Sequence, residues 1–235
     1  MRIFSATHLG LVRKVNEDRF FVKELGNGAA VVAVADGLGG HAAGERAAEI
    51  ATGSIDAFDV SSQDFETQMA HLIKHANRKI LEASAKDMSL NGMGTTLTAA
   101  FLEGGAAHWV HVGDSRLYLF RDGVLVQVTE DHTLAGLLLR TGGIGAEEAR
   151  VHPARNMLMS CLGRCDFEAD MGTLDLLAND MLLLSSDGLH NQVPEQDIAD
   201  ILGGNGSLED KPDLLVEAAL AAGGRDNITV VAAKI

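Results

Sequence analysis

Apolar and polar residues follow two patterns along the chain, one typical of strands and one typical of helices. Residues 31–35 read V-V-A-V-A, a run that is too short for a buried helix and typical of an interior strand. Asn27 and Gly28 precede this run and favour a hairpin with the apolar residues before them. Residues 44–58 and 64–85 carry apolar side chains at helical spacing, which predicts two consecutive helices.

The remaining segments extend both patterns to the two ends of the chain. Residues 3–22 predict two short strands joined by a polar turn at 14–18. Residues 117–128 predict a hairpin with a glycine in its turn. Residues 131–163 predict a surface excursion with a helical piece, a double-glycine break and a short Glu-rich turn. The other predictions are strands at 92–100, 106–112, 175–186 and 228–235, and helices at 134–140, 195–202 and 213–222.

The grouping of these elements predicts the fold class. Strands that pair as hairpins, with the helices in separate groups, are typical of an α+β fold built from layered antiparallel sheets. No internal repeat, low-complexity tract or linker divides the 235 residues. We therefore predict a single α+β domain over residues 1–235.

Four aspartates stand at the ends of predicted strands. Asp36, Asp114 and Asp187 each follow an apolar run, whereas Asp226 precedes one. A single Asp in such a position is more often a turn residue or a helix cap than a ligand. Four of them favour convergence on hard cations, because Mg²⁺ and Mn²⁺ prefer oxygen ligands.

The pair Asp36-Gly37 is the centre of this hypothesis. It can supply a carboxylate and a backbone carbonyl from adjacent positions, because glycine lets the backbone approach an ion closely. Asp187 and Asp226 would close the site from other strands, and Asp114 would hold a further ion.

The glycines after Asp36 also match a dinucleotide-binding fingerprint, G-x-G-x-x-A between a strand and a helix, with Asp56 at about the right distance. Two features argue against this alternative. The charge of Asp36 would lie against the pyrophosphate, and a second helix follows where a βαβ unit requires a parallel strand. We therefore prefer the metal hypothesis.

Three further residues are candidates for chemistry beside the metals. Arg13 is suited to clamp a substrate phosphate, although an ion pair with the nearby Glu17 and Asp18 is an alternative use of its charge. Glu17 and Asp18 are expected to orient metal-bound waters. His41, at the end of the glycine loop, is placed to donate a proton to a leaving alkoxide, although a lone His is more often a packing or capping residue.

Composition narrows the classes of partner. The formal net charge of −14 argues against binding to nucleic acid or to anionic membranes. No apolar run approaches the roughly 18–20 residues of a membrane span, and the N-terminus lacks a signal-peptide pattern. Cys161 and Cys165 are the two cysteines of the chain. A single C-x-x-x-C pair favours reduced thiols over a zinc site or a disulfide framework. A cytoplasmic location is expected.

Seven short motifs follow one another along the chain. They are R-x-x-N-E-D from residue 13, A-D-G-x-G-G-H-x-x-G-E from 35, G-T-T from 94, V-G-D-S-R from 112, D-H-T from 131, S-D-G-L from 186 and D-N-I-T from 226. Taken together and in this order, they resemble the motifs of bacterial PP2C-type (PPM) protein serine/threonine phosphatases, and the resemblance covers essentially the whole chain. The family implies a four-layer α-β-β-α sandwich, in which two antiparallel sheets are flanked by helices and the metals lie at one end.

The resemblance also implies metal-binding roles for individual residues. Asp36 resembles the carboxylate that bridges two metal ions, and Gly37 resembles the residue whose carbonyl binds one of them. Asp187 and Asp226 resemble ligands of the other ion. Asp114 resembles the ligand, shared with Asp187, of a weaker third ion.

Around the metals, the resemblance implies that Arg13 binds phosphate. It also implies that Glu17, Asp18 and Asn227 contact the metal ligands without binding the ions directly. Residues 133–162 resemble the flap subdomain that borders the active site of such enzymes and influences their choice of substrate.

The expected activity is hydrolysis of phosphoserine and phosphothreonine in proteins by a hydroxide that bridges two metal ions. The expected cofactors are Mn²⁺ or Mg²⁺, with two core ions and a third. The expected partners are phosphoproteins and a cognate Ser/Thr kinase, and a monomer is expected. The alternatives are a catalytically inactive phosphoprotein-binding module and a small-molecule phosphohydrolase. The intact set Asp36, Asp187 and Asp226 argues against the inactive module.

Overall fold

The computed structural model describes residues 1–26, 28–39, 42–57 and 64–235. Its strands form two five-stranded antiparallel sheets and one small two-stranded pair. The strands are β1 (Arg2–His8), β2 (Arg19–Gly26), β3 (Ala29–Ala35), β4 (Gly37–Leu38), β5 (Gly94–Thr95), β6 (Leu97–Glu103), β7 (Ala106–Val112), β8 (Arg116–Arg121), β9 (Val124–Gln127), β10 (Asp170–Asp175), β11 (Met181–Ser185) and β12 (Ile228–Lys234).

The first sheet has the strand order β1-β12-β11-β8-β9, and the second has the order β10-β7-β6-β3-β2. Helices cover the outer face of each sheet, α1 and α2 on the second sheet and α5 to α7 on the first. The helices are α1 (Ala42–Gly53), α2 (Phe65–Lys86), α3 (Leu134–Arg140), α4 (Ala146–Val151), α5 (Asp187–His190), α6 (Glu195–Gly203) and α7 (Lys211–Ala221).

The alternation of side chains along each strand explains the layers. In β3, Val31 and Ala33 face α1 and α2, whereas Val32 and Val34 face the other sheet. Both faces are buried, which is why this strand reads as a continuous apolar run rather than as an alternating one. The expected α-β-β-α sandwich is therefore confirmed.

The register of the strands brings the four aspartates to one end of the sandwich. Ser185 of β11 pairs with Val230 of β12, so the residues after β11 lie beside the residues before β12. In the second sheet, β6 pairs antiparallel with both β3 and β7, so the C-terminal ends of β3 and β7 lie at the same end of the sheet. Asp36, Asp114, Asp187 and Asp226 all extend from these strand ends.

Most of the predicted elements agree with the structure. The strand at 31–35 lies within β3, the helices at 44–58 and 64–85 correspond to α1 and α2, and the helix at 134–140 coincides with α3. The expected hairpin between β2 and β3 is present, although Asn27 of its turn lies outside the described residues. No helix among the described residues is both long and apolar enough to cross a membrane.

Two local predictions were wrong. Residues 175–186 do not form one strand, because β10 ends at Asp175 and belongs to the second sheet, whereas β11 belongs to the first. A tight turn separates them: Asn179 adopts a left-handed φ of 75°, and the Asp180 carboxylate accepts a hydrogen bond from the Leu177 amide at 2.7 Å. The Glu-rich turn after Gly142 is the short helix α4.

Candidate active site

Five carboxylates lie together at the end of the sandwich. The carboxyl groups of Asp36 and Asp187 are within hydrogen-bonding reach of each other. Burial raises the pKa of Asp36 well above its ordinary value, and the charges of Asp18, Asp187, Asp114 and Asp226 raise it further. Burial also raises the pKa of Asp187 to about 6, with the charge of Asp226 as the next cause. The fold thus concentrates more carboxylates than the single arginine that pairs with them, Arg13, can neutralise.

Asp18 forms the buried floor of this cluster. Its Oδ2 atom accepts a hydrogen bond from the Ser186 hydroxyl at 2.7 Å, whereas its Oδ1 atom has no hydrogen-bond partner among the described residues. Burial raises the pKa of Asp18 to about 7, against the opposing hydrogen bonds. A buried oxygen without a donor is the kind of atom that a cation, or a water bound to a cation, satisfies.

Two threonines hold the backbone of Asp36. The Thr96 amide donates to the Asp36 carbonyl at 2.9 Å, and the Asp36 amide donates to the Thr96 hydroxyl at 2.9 Å. The Thr95 hydroxyl also donates to the Asp36 carbonyl. The sequence singled out G-T-T as a motif but not this role, which requires β5 to pair with β4 and β6 to pair with β3.

Gly37 is required by close packing. A Cβ atom at this position would lie 2.4 Å from the carbonyl group of Gly44 and 2.6 Å from the Glu17 carbonyl oxygen. Any other residue would therefore push apart the loop before β2 and the start of α1. The short contact brings the N-E-D segment against the strand end that carries Asp36.

Arg13 pairs with a different acid from those that its sequence neighbours suggested. Its Nη2 atom lies 2.7 Å from Asp226 Oδ2, and its side chain is 48% exposed. The hydrogen bond to Asp226 is the largest cause that raises the Arg13 pKa, and the charges of Glu17 and Asp36 add to it. A guanidinium has five N–H donors, so the exposed group retains donors for a second anion.

Asn227, which directly precedes β12, connects the start of that strand to the loop between β1 and β2. Its Oδ1 atom accepts from the Glu17 amide at 2.8 Å, and its Nδ2 atom donates to the carbonyls of Leu9 at 2.8 Å and Val15 at 3.0 Å. Its own amide donates to Asp226 Oδ1. Asn227 thereby fixes the segment that carries Arg13 against Asp226.

Asn191 connects the segment 133–162 to the carboxylates. Its Nδ2 atom donates to Asp187 Oδ2 at 2.9 Å and to Asn156 Oδ1 at 3.4 Å. It lies immediately after α5, one turn beyond Asp187. The sequence alone carried no signal for this contact, because Asn156 and Asn191 belong to separate segments.

A largely buried ion pair lies beside Asp114. Arg116 binds Asp131 through two parallel hydrogen bonds of 2.8 and 2.7 Å and donates to the Tyr118 hydroxyl at 2.8 Å. Burial raises the pKa of Asp114 well above its ordinary value, and the charges of Asp187 and Asp131 add to the increase. The ion pair joins β8 to the segment before α3.

The donor set fits hard divalent cations, because it consists of carboxylate oxygens, to which the Gly37 carbonyl would add a backbone oxygen. In the described ranges, no three His, Cys, Asp or Glu side chains are already arranged as a closed metal site. His41, the proposed proton donor, lies outside the described residues.

The comparisons with known proteins agree on one family. Residues 12–217 match the family model for protein phosphatase 2C. The serine/threonine phosphatase Stp of Listeria monocytogenes is 41% identical over 232 residues, which cover 96% of this chain and 92% of that protein.

Solved structures of other proteins share the fold. The serine/threonine phosphatase PstP/Ppp of Mycobacterium tuberculosis superposes with a TM-score of 0.92 at 36% identity, over 100% of this chain and 98% of that one. The catalytic domain of PstP in complex with two manganese ions gives a TM-score of 0.88 at 35% identity, over 99% and 97% of the two chains. The chain therefore belongs to the protein phosphatase 2C family.

Proposed function

We propose that this protein is a metal-dependent phosphatase that hydrolyses phosphoserine and phosphothreonine in other proteins. The observation that carries the proposal is the cluster of buried and half-buried carboxylates beside Arg13, because it joins a cation-binding surface to a phosphate-binding group. The names of its relatives, which are serine/threonine phosphatases, support the same activity. The two manganese ions in the related PstP structure support Mn²⁺ or Mg²⁺ as the cofactor.

Five residues are proposed to hold the ions. Asp36 and the Gly37 carbonyl would hold one core ion, and Asp36, Asp187 and Asp226 would hold the other. Asp114 and Asp187 would hold a third. When bound, such ions lower the pKa of a water molecule and offset the negative charge of the phosphoryl group.

The chain's own side chains position the substrate. Arg13 binds the phosphoryl oxygens with the donors that Asp226 leaves available, and this fixed charge stabilises the transition state. Asn227 keeps the Arg13 segment in place, so the guanidinium needs little reorganisation when phosphate binds. Glu17 and Asp18 accept hydrogen bonds from ordered water at the floor of the site. His41 donates a proton to the leaving serine or threonine oxygen.

The proposal extends to the substrates, the oligomeric state and the location of the protein in the cell. The natural substrates are phosphoproteins, and a Ser/Thr kinase is the enzyme class that must supply them. The chain acts as a single catalytic domain with a flap at residues 133–162, as a monomer in the cytoplasm.

The test is release of phosphate from a phosphothreonine peptide by purified protein, with Mn²⁺ titrated against EDTA. We expect activity that depends on metal and that Asp187→Asn abolishes. The matched control is Asp122→Asn in the β8–β9 turn, where an exposed residue with a φ of 51° tolerates asparagine. A folded protein that binds the peptide and releases no phosphate at any Mn²⁺ concentration would indicate a binding module instead.

A further inference from the structure

A cavity of about 430 Å³ lies between the flap and the rest of the molecule, within the size range of ligand pockets. We call it the flap cavity. Helices α3 and α4 form one wall, and the ends of β8 and β9 with α5 form the other. Asp114 and Asn191 both line it, and Asn191 donates a hydrogen bond to Asp187. The flap cavity therefore opens directly beside the candidate active site.

The inner wall carries more acidic side chains than arginines. Arg116 holds Asp131 in the bidentate ion pair and lies 3.4 Å from Glu195. Glu130 lies 3.5 Å from Arg140, which reaches across from the flap. Two arginines therefore face three acidic side chains on this side of the cavity, and Asp114, a proposed metal ligand, adds a fourth.

The flap wall has the opposite balance. Among the described residues, it contributes three arginines, Arg140, Arg150 and Arg155, and one acidic residue, Glu147. Arg150 and Arg155 are exposed, and neither forms an ion pair within the described part of the chain. A locally positive wall is unusual in a protein with a net charge of −14. Free guanidinium groups are suited to bind carboxylate or phosphate through paired hydrogen bonds.

We propose that the flap cavity is a second anion site for the substrate, in which Arg150 and Arg155 bind an acidic group near the phosphorylated residue. This inference rests on the proposed phosphatase activity. The acidic group is either a Glu or Asp side chain or a second phosphoryl group, since both present oxygens to a guanidinium. The site would select acidic or multiply phosphorylated segments over basic ones.

The experiment measures kcat/KM for phosphothreonine peptides that carry a single glutamate in an otherwise neutral sequence. The glutamate is placed in turn within about four residues on either side, because an extended chain advances about 3.3–3.6 Å per residue. We expect at least one position to increase kcat/KM about fivefold over the neutral peptide, the size of one exposed charge interaction. Lysine at that position should decrease kcat/KM.

The variant Arg150→Gln/Arg155→Gln should reduce the ratio of acidic-peptide to neutral-peptide kcat/KM to about one. Arg164→Gln is the control, because this exposed arginine pairs with Asp166 and does not line the cavity. Thermal melting checks that each variant is folded, and the single variants replace the double one if it is not. A peptide with a non-hydrolysable phosphonate in place of the glutamate distinguishes the two kinds of acidic group. A larger increase in kcat/KM with the phosphonate than with the glutamate identifies a second phosphoryl group.

The two proposals fail in different ways. Equal kcat/KM for acidic, neutral and basic peptides, or a ratio unchanged in the double variant, would overturn the anion site alone. Absence of phosphate release from every peptide with Mn²⁺ present would overturn the phosphatase activity and the anion site with it.

Discussion

Two sets of buried carboxylates in this molecule differ in the direction of their pKa shifts. Asp131 and Asp180 each receive a bidentate arginine, from Arg116 and Arg121, and the pKa of each is lowered. For Asp131, burial alone would raise the pKa, and the charge and hydrogen bonds of Arg116 outweigh it. The carboxylates of the candidate active site lie beside one another instead, and the pKa is raised for Asp18, Asp36, Asp114 and Asp187.

The contrast shows that burial does not by itself decide the charge of an aspartate. A paired carboxylate joins two segments and stabilises the fold, whereas clustered carboxylates destabilise it until a cation arrives. The same fold therefore contains charges arranged for structure and charges arranged for binding. Substitutions at both sets of carboxylates test this distinction.

Asp36→Asn should separate activity from stability. We expect the rate of phosphate release to fall about a thousandfold, because the proposed bridging ligand is lost. The free energy of unfolding in EDTA should stay constant or increase, since the change removes one of several repelling charges. Peptide hydrolysis and urea unfolding measure the two effects. Retained activity with lower stability would place Asp36 among the structural carboxylates.

Arg116→Met should show the opposite behaviour at the buried ion pair. It leaves Asp131 buried without its cation, and we expect a loss of about 3–5 kcal/mol in the free energy of unfolding. The double variant Arg116→Met/Asp131→Leu should regain most of that loss, because no unpaired charge remains. Urea unfolding of both variants is the measurement, and a double variant no more stable than the single one contradicts this account.

Asn227→Ala should affect both the fold and the site. It removes the buried side chain that joins Leu9, Val15 and Glu17, and we expect a loss of about 2–3 kcal/mol in unfolding free energy. The KM for a phosphopeptide should also increase, because the segment that carries Arg13 is less ordered. Asn227→Asp is the control that keeps the acceptor for the Glu17 amide and loses both donors. An unchanged KM in Asn227→Ala would separate this residue from phosphate binding.

The pH dependence of stability should be the mildest test. The pKa of Asp18 is raised to about 7 and that of Asp187 to about 6, so the folded state binds protons more tightly than the unfolded state. Their stabilising contribution is present below about pH 4 and is lost as the pH rises through 6 to 7. In EDTA, Tm should therefore fall by about a few degrees across this range.

Two comparisons isolate this pH effect. Mn²⁺ should raise Tm more at pH 7.5 than at pH 5, because it binds the deprotonated carboxylates. Asp18→Asn should flatten the slope of Tm against pH in EDTA. A slope identical to that of the unsubstituted protein would mean that Asp18 does not titrate in this range.

Much of the fold could be predicted because its cues are local. The apolar run of β3, the helical spacing of α1 and α2 and the glycine turn between β8 and β9 depend on neighbouring residues. The turn after Asp175 was missed because Asn179 and Asp180 form it through backbone conformation and a side-chain hydrogen bond, not through periodicity. The sequence also showed four aspartates at the ends of predicted strands. Because all four occupy the same kind of position, they were predicted to converge on metal ions.

The residues alone specify the set of chemical groups: which carboxylates end strands, where glycine permits close approach, and the order of motifs that marks the family. The partners of these groups follow from the folded structure. Arg13 is paired with Asp226, 213 residues away, rather than with the acids next to it, and Thr96, between β5 and β6, holds Asp36 after β3. Such contacts depend on strand register and sheet packing, which bring distant segments together and leave no periodic trace in the residues themselves.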